Sequence, residues 1–168
     1  MVPMRRSDRV MEQENTLEVI INCQWAVLSM VNSKEEYPLG LGSPYAIPVS
    51  PVFLNGFIYF HCALRGHKID NLKKDNRVCL SCVGQAENDE KAFSVAFTSS
   101  LVYARAFEVE DQMEKEKALL AICEKFAPSQ KERMQSCIVD QMDHTAIWRL
   151  ELLDMSGKQR KFESLPKV

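Results

Sequence analysis

Hydrophobic positions along this chain change period several times, and each change marks an element. Leu17, Ile20 and Ile21 recur at helical spacing and predict a short amphipathic helix ending near Asn22. Asn15-Thr16-Leu17-Glu18 has the form of a capping box, with Asn15 at the N-cap and Glu18 reaching back. Trp25 to Val31 is dense in β-formers and predicts a strand, followed by a polar turn from Asn32 to Glu36. The next run, Tyr37 to Pro51, contains Pro38, Pro44, Pro48 and Pro51. Proline gives no N–H to a ladder, so a strand here must be bulged or lie at an edge, with backbone groups left over for a ligand. Val52–Leu54 and Phe57–Cys62 flank Asn55-Gly56, a strong hairpin signal.

A short helix is predicted from Lys68 to Asp75, burying Ile69 and Leu72, and a strand from Arg77 to Val83. Gln85 to Lys91 is polar and predicts a loop. Phe93 to Glu110 is the longest β-type run, long enough that it must bend. Gln112 to Phe126 is the clearest helix, stopped by Pro128, with a second from Lys131 to Met142. Thr145 to Leu153 alternates as a strand, Ser156-Gly157 predicts a turn, and a charged tail follows. Neighbouring strands joined mostly by hairpins favour antiparallel pairing. The expectation is a mainly β chain: a six-stranded antiparallel barrel with peripheral helices. It forms one domain over residues 1–168, with an N-terminal lead at 1–12 and a charged tail at 156–168.

Composition narrows the function. The chain has 168 residues, 46% of them hydrophobic and 26% charged, which suits a globular domain with a real core. A net charge of −2 argues against a nucleic-acid partner. No apolar run approaches the roughly 18 to 20 residues of a membrane helix, so a cytoplasmic protein is expected. The six cysteines are scattered through apparent core elements and are expected as free thiols.

The chemistry concentrates between Phe57 and Leu72. A strand ends in a glycine turn and a helix start, with His61, Cys62, Arg65, His67 and Lys68 crowded at the junction. Helix-start amides and nearby cations make an anion site, here centred on Gly66-His67-Lys68. A plain strand-to-helix turn with solvated cations is the alternative. Cys79-Leu80-Ser81-Cys82 lies among strand formers, where alternation sends the two thiols to opposite faces, so no metal is assigned to it. The same alternation separates His61 from Cys62 and argues against a Cys-His nucleophile pair. Neither a GxGxxG nor a GxxxxGK[ST] run is present.

Several stretches together resemble the pyridoxamine 5′-phosphate oxidase-like split-barrel flavoproteins, and among them the nitroimidazole-resistance (nitroimidazole reductase) branch. They are Met4-Arg5-Arg6-Ser7-Asp8-Arg9, Pro44-Tyr45-Ala46-Ile47-Pro48-Val49, Tyr59-Phe60-His61-Cys62-Ala63 with Gly66 and Lys68, Asn76-Arg77-Val78, Ser99 to Ala106, and Gly157-Lys158. The resemblance implies a split barrel and a homodimer holding FMN in clefts at the subunit interface. It implies that His61 and Cys62 meet the phosphate and ribityl chain, that His67 and Lys68 grip the phosphate, and that Gly66 lets the backbone approach. Ile47, Pro48 and Val49 would run along the ring through their backbone, and Ser99 would reach the flavin from the long strand, from either subunit. This chain has Cys62 where the family often has Ser or Thr, and His67 where it often has Arg. The implied activity is an FMN-dependent oxidoreductase reducing a small electrophile such as a nitro-aromatic compound, with His61 as the candidate for proton delivery. The alternative is a non-catalytic flavin- or haem-binding module, a store or sensor.

Overall fold

The computed structural model describes residues 4–161. Its seven strands are β1 (Ala26–Val31), β2 (Pro44–Val49), β3 (Val52–Leu54), β4 (Phe57–Ala63), β5 (Arg77–Asp89), β6 (Ser94–Glu108) and β7 (Thr145–Arg160). They form one antiparallel sheet in the order β2-β1-β5-β6-β7-β4-β3. The two end strands are consecutive in the chain, joined through Ser50-Pro51, yet they do not pair with each other. The sheet is therefore an unclosed, split barrel. Residues from both ends still share one core: Val49 of β2 and Phe60 of β4 are buried with Leu28, Leu80 and Val102. The prolines of β2 fall on an edge strand bonded only to β1, where the missing N–H is tolerated. Seven strands form rather than the six expected, the short hairpin arm β3 being a strand of the sheet in its own right.

Two strands outrun their sequence signals. Gln85 to Asp89, expected as a loop, continues β5 past a bulge between Val83 and Ala86. A side chain at Gly84 would collide with Thr98 Oγ1, and Gln85 N–H donates to that same oxygen at 3.2 Å. Gln85, Glu87 and Asn88 beyond it are exposed while Asp89 is buried, and the backbone of Ala86 to Asp89 pairs with the start of β6. Likewise β7 runs straight through Ser156-Gly157, so the predicted turn is absent. Gly157 instead permits close packing, since a Cβ there would strike Thr16 Oγ1 and lie 2.9 Å from Met11 Cβ. A second irregularity lies between Tyr103 and Ala104 of β6, where Leu153 is the extra residue on the β7 side.

Helix α1 (Gln13–Asn22) starts earlier than predicted, after Glu12, and no side chain of the described residues caps its start. Asn15 is thus inside the helix, and Thr16 Oγ1 donates back to the Glu12 carbonyl at 2.8 Å. The lead before it packs on the barrel: Met11 is buried and its N–H donates to the Gly157 carbonyl at 3.0 Å. The predicted charged tail is strand as far as Arg160, and its last seven residues lie outside the described ones. Helix α2 spans His67–Lys74, α3 Gln112–Phe126 and α4 Lys131–Gln141. Asp111 caps α3 by accepting from Glu114 N–H at 2.7 Å. Helices α3 and α4 bury Ala118, Leu119, Ile122 and Ile138 against Val52, Tyr59 and Ile147, on the side of the sheet away from the barrel core. Tyr59 donates to Glu114 at 2.9 Å, and Glu114 also accepts from Arg149 of β7 at 3.0 Å, which ties α3 to the sheet. Lys125 of α3 donates to the Pro51 carbonyl at 2.8 Å and fixes the link across the split.

Candidate functional site

The junction between β4 and α2 owes its shape to Gly66. Its φ of 138° and ψ of 167° lie in a region reserved to glycine. Among the described residues, nothing beyond its chain neighbours stands within 4 Å of where its side chain would be. The Gly66 carbonyl accepts from Ile69 N–H at 2.9 Å and Asp70 N–H at 3.1 Å, closing the first turn, and no side chain of the described residues caps the helix start. These amides carry the positive end of the helix dipole. Lys68 adds a cation, its Nζ 5.9 Å from the centre of the Phe60 ring.

On β4, His61 is exposed while Cys62 is buried among core side chains. Partial burial of the His61 ring, helped by the charge of Lys68, holds its pKa below the ordinary 6.5, so the ring is neutral at pH 7. Burial pushes the Cys62 thiol up, which keeps it protonated. Whatever Cys62 offers on the His61 side is backbone, not sulphur.

His67 sits in a setting that no local sequence signal announces. Its ring stacks on Tyr37, with centroids 3.8 Å apart and planes 6° from parallel, and meets Tyr45 edge-on at 4.8 Å. Both ring nitrogens are buried without a hydrogen-bond partner among the described residues. Tyr37 belongs to the segment between β1 and β2, which is pinned to α2 at two further points. Lys34 pairs with Asp70 at 2.7 Å, and Ser33 donates from its amide and its hydroxyl to Asn71 Oδ1 at 2.8 and 2.7 Å. The stack therefore docks this segment against the start of α2.

Tyr45 also brings β2 to the junction. Ile47 and Val49 turn their side chains toward the core, Pro48 is exposed, and the outer edge of β2 has no strand partner among the described residues. Ser99 is elsewhere. It pairs with Lys158 of β7, whereas His61 pairs with Ile147. The separation 158 − 147 is 11 residues, roughly 35 Å along a strand at about 3.3 Å per residue. One chain thus brings together His61, Gly66, His67 and Lys68 beside the β2 edge, turns Cys62 inward, and leaves Ser99 at the far end of the barrel.

The CxxC pair splits as alternation requires. Cys82 is buried beside Cys23, whose sulphur donates to the Ile20 carbonyl at 3.3 Å, and Cys79 lies half-buried on the other face. Among the described residues, no three His, Cys, Asp or Glu side chains gather as a metal site would require. Nor, among them, is any helix long and apolar enough to cross a membrane.

Residues 25–159 match the family model described as pyridoxamine 5′-phosphate oxidase. The chain belongs to that family. No curated protein matches it. Solved structures with the family's fold include a protein described as a 5-nitroimidazole antibiotic resistance protein from Bacteroides thetaiotaomicron. It is 19% identical, with a TM-score of 0.67, over 89% of this chain and 85% of that one. The flavocytochrome Anf3 of Azotobacter vinelandii is also 19% identical, with a TM-score of 0.75, over 98% of this chain and 75% of that one. An FAD and haem binding protein from Mycobacterium smegmatis is 14% identical, with a TM-score of 0.72, over 94% and 74%. At these identities the likeness is one of fold.

Proposed function

We propose that this chain binds FMN with its phosphate on the start of α2 and reduces a small electrophile such as a nitro-aromatic compound. The observation that carries the reading is the uncapped helix start behind Gly66, with open space in front of it and Lys68 and His61 beside it. A phosphate fits there: it would accept from the amides, lie against Lys68, and meet no Cβ at Gly66. The site offers one such cradle, which suits a mononucleotide with a single phosphate. The proteins of like fold include ones named for flavin and haem binding and for nitroimidazole resistance, which supports the choice.

The residues divide the work. Gly66, Lys68 and the helix amides hold the phosphate. The free edge of β2, at Ile47, Pro48 and Val49, offers backbone donors and acceptors along a flat ring. The Tyr37–His67 stack fixes the wall between them. His61, neutral at pH 7, takes or passes a proton at a ring nitrogen. When bound, the flavin supplies the hydride or electron chemistry.

The reading includes a homodimer. Trp25, Val27, Val83 and Tyr103 expose apolar surface outside the barrel, Trp25 with 67% of its area, and Ser99 lies directly opposite Val83 on that face. A second copy packed there would carry its Ser99 toward the first copy's cleft. The test is the visible spectrum of the purified protein and FMN titration, followed by anaerobic NADH or NADPH and a nitro-aromatic acceptor. Bound flavin that is reduced and then reoxidised by the acceptor is the expected result. Bound flavin that no donor reduces would favour a store or sensor, and a protein that takes up no FMN would overturn the reading.

A further inference from the structure

The end of α1 meets the middle of β5 inside the barrel, and each contributes a thiol that the proposed flavin site does not use. Cys23 follows the last residue of α1 and is 2% exposed, and Cys82 stands opposite Ala26 of β1 in the ladder and is fully buried. The two side chains hydrogen-bond to each other. As a thiol, Cys23 also donates to the Ile20 carbonyl at 3.3 Å.

Core packing accounts for two buried thiols, since a free cysteine behaves as a small hydrophobe. It does not account for the polar groups gathered round this pair. Lys125 of α3 is half-buried, its Nζ held by the Pro51 carbonyl at 2.8 Å, and its charge reaches both sulphurs. Burial lowers the pKa of that ammonium, while the two thiols act to raise it. Ser100 stands directly opposite Cys82 on β6, is 2% exposed, and its hydroxyl has no hydrogen-bond partner among the described residues. The hydrogen bond from Cys82, with the Lys125 charge, holds the Cys23 thiol down at about 7 against burial. Burial pushes Cys62 and Cys79 the other way. Cys82, hydrogen-bonded to Cys23 and buried, is pushed up and stays protonated. A cleft of about 490 Å³ gives access: Asn22 and Gln24, on either side of Cys23 in the chain, line it together with Lys125 and Phe53. Burial of the sulphurs excludes bulky thiol reagents, but hydrogen peroxide is little larger than water.

We propose that Cys23 and Cys82 form a peroxide-sensitive dithiol reached from this cleft, with Cys23 the nucleophile, Cys82 the resolving thiol and Lys125 the counter-charge. The Cys23 thiolate attacks one oxygen of a hydroperoxide, and the O–O bond breaks. The departing oxygen takes up the proton that the Cys23 thiol gave up, and leaves as water. Cys23 is then a sulphenic acid. The Cys82 sulphur attacks the Cys23 sulphur, the S–O bond breaks, and the hydroxyl leaves with the Cys82 proton as a second water. Two thiols together lose two electrons and two protons, and the peroxide gains them. The disulfide ties the end of α1 to β5. No flavin takes part, so the proposal stands or falls apart from the flavin reading.

The test treats the native purified protein with hydrogen peroxide, quenches with catalase, and alkylates under denaturing conditions before peptide mapping by mass spectrometry. Cys23 and Cys82 should escape alkylation, and their peptides should be joined by a bond that dithiothreitol breaks. The oxidised chain should melt at a higher temperature than the reduced one, because the cross-link constrains the unfolded chain. Cys82→Ala should stop at the sulphenic acid, trapped on Cys23 by dimedone, and Cys23→Ala should give neither product. Both variants are checked for folding by circular dichroism, and the mapping of the native chain does not depend on them. Lys125→Met should slow disulfide formation at least fivefold at pH 7, and Lys125→Arg should restore part of the rate. Oxidation confined to Cys123 and Cys137, with Cys23 and Cys82 still alkylated after unfolding, overturns the proposal. So does a Cys23–Cys82 link that forms only in denaturant, or one whose rate Lys125→Met leaves unchanged.

Discussion

Substituting Gly66 by alanine isolates what its backbone does. At φ 138° and ψ 167° an L-residue is strained, and because nothing lies within 4 Å of the new methyl group, no side chain has to move. The cost to folding is backbone strain alone, about 1 to 3 kcal/mol. For a chain of this length each kcal/mol lowers Tm by about 2 to 4 °C, so the variant should melt roughly 2 to 12 °C lower. The same methyl group projects into the space where a phosphate would approach the amides, so FMN affinity should fall at least tenfold. Gly56→Ala is the control. Its φ is 87°, it also has open space around it, and it sits in the β3–β4 hairpin away from the helix start. It should lose about 1 to 2 kcal/mol and keep its flavin. Thermal unfolding by circular dichroism and fluorescence titration with FMN measure the two effects separately. If Gly66→Ala melts within a degree of the native protein and binds FMN equally well, the glycine conformation has no part in the site.

Other consequences are open to direct measurement. Burial, with the Glu114 carboxylate, pushes the Tyr59 hydroxyl up to about 12, above its unfolded value near 10. The folded protein therefore holds that proton more tightly, so this contribution to stability is whole below pH 10 and is lost as pH rises toward 12. Ultraviolet titration should show one late tyrosine, and in Glu114→Gln it should titrate earlier. His61 is held below its ordinary pKa by burial and by Lys68, and a bound phosphate dianion would favour its charged form. FMN affinity should accordingly rise as pH falls from 8 to 6, and a flat profile identical to that of His61→Asn would remove His61 from the site. Cys137 is exposed while Cys23, Cys62 and Cys82 are buried, so a thiol reagent should label Cys137 at once and these three only on unfolding. Gly157→Ala should cost about 1 to 3 kcal/mol by forcing apart α1 and β7, and Thr16→Ala in the same chain should recover part of it, read by denaturant titration.

The parts of this protein that were legible in its sequence are those decided by contacts a few residues apart. Asn55-Gly56 makes its hairpin, Pro128 follows the end of α3, and the prolines of β2 fall on an edge, because each rests on local sterics or on one missing N–H. The Gly66-His67-Lys68 turn was legible for the same reason, and alternation alone placed His61 and Cys62 on opposite faces. Local signals failed where the deciding partner came from far along the chain. Gln85 to Asp89 reads as loop by polarity, but the start of β6 supplies its ladder. Ser156-Gly157 reads as a turn, but β6 carries the strand on and Thr16 needs the space a side chain would fill. Asn15 has the form of a cap but lies inside a helix whose start is set by Met11 docking on β7. Only the tertiary structure stacks Tyr37 on His67 and puts the length of β7 between Ser99 and His61. Periodicity tells a residue which neighbours along its own element share its face. Which distant element meets that face is decided by how the strands pair and how the unclosed sheet wraps its core.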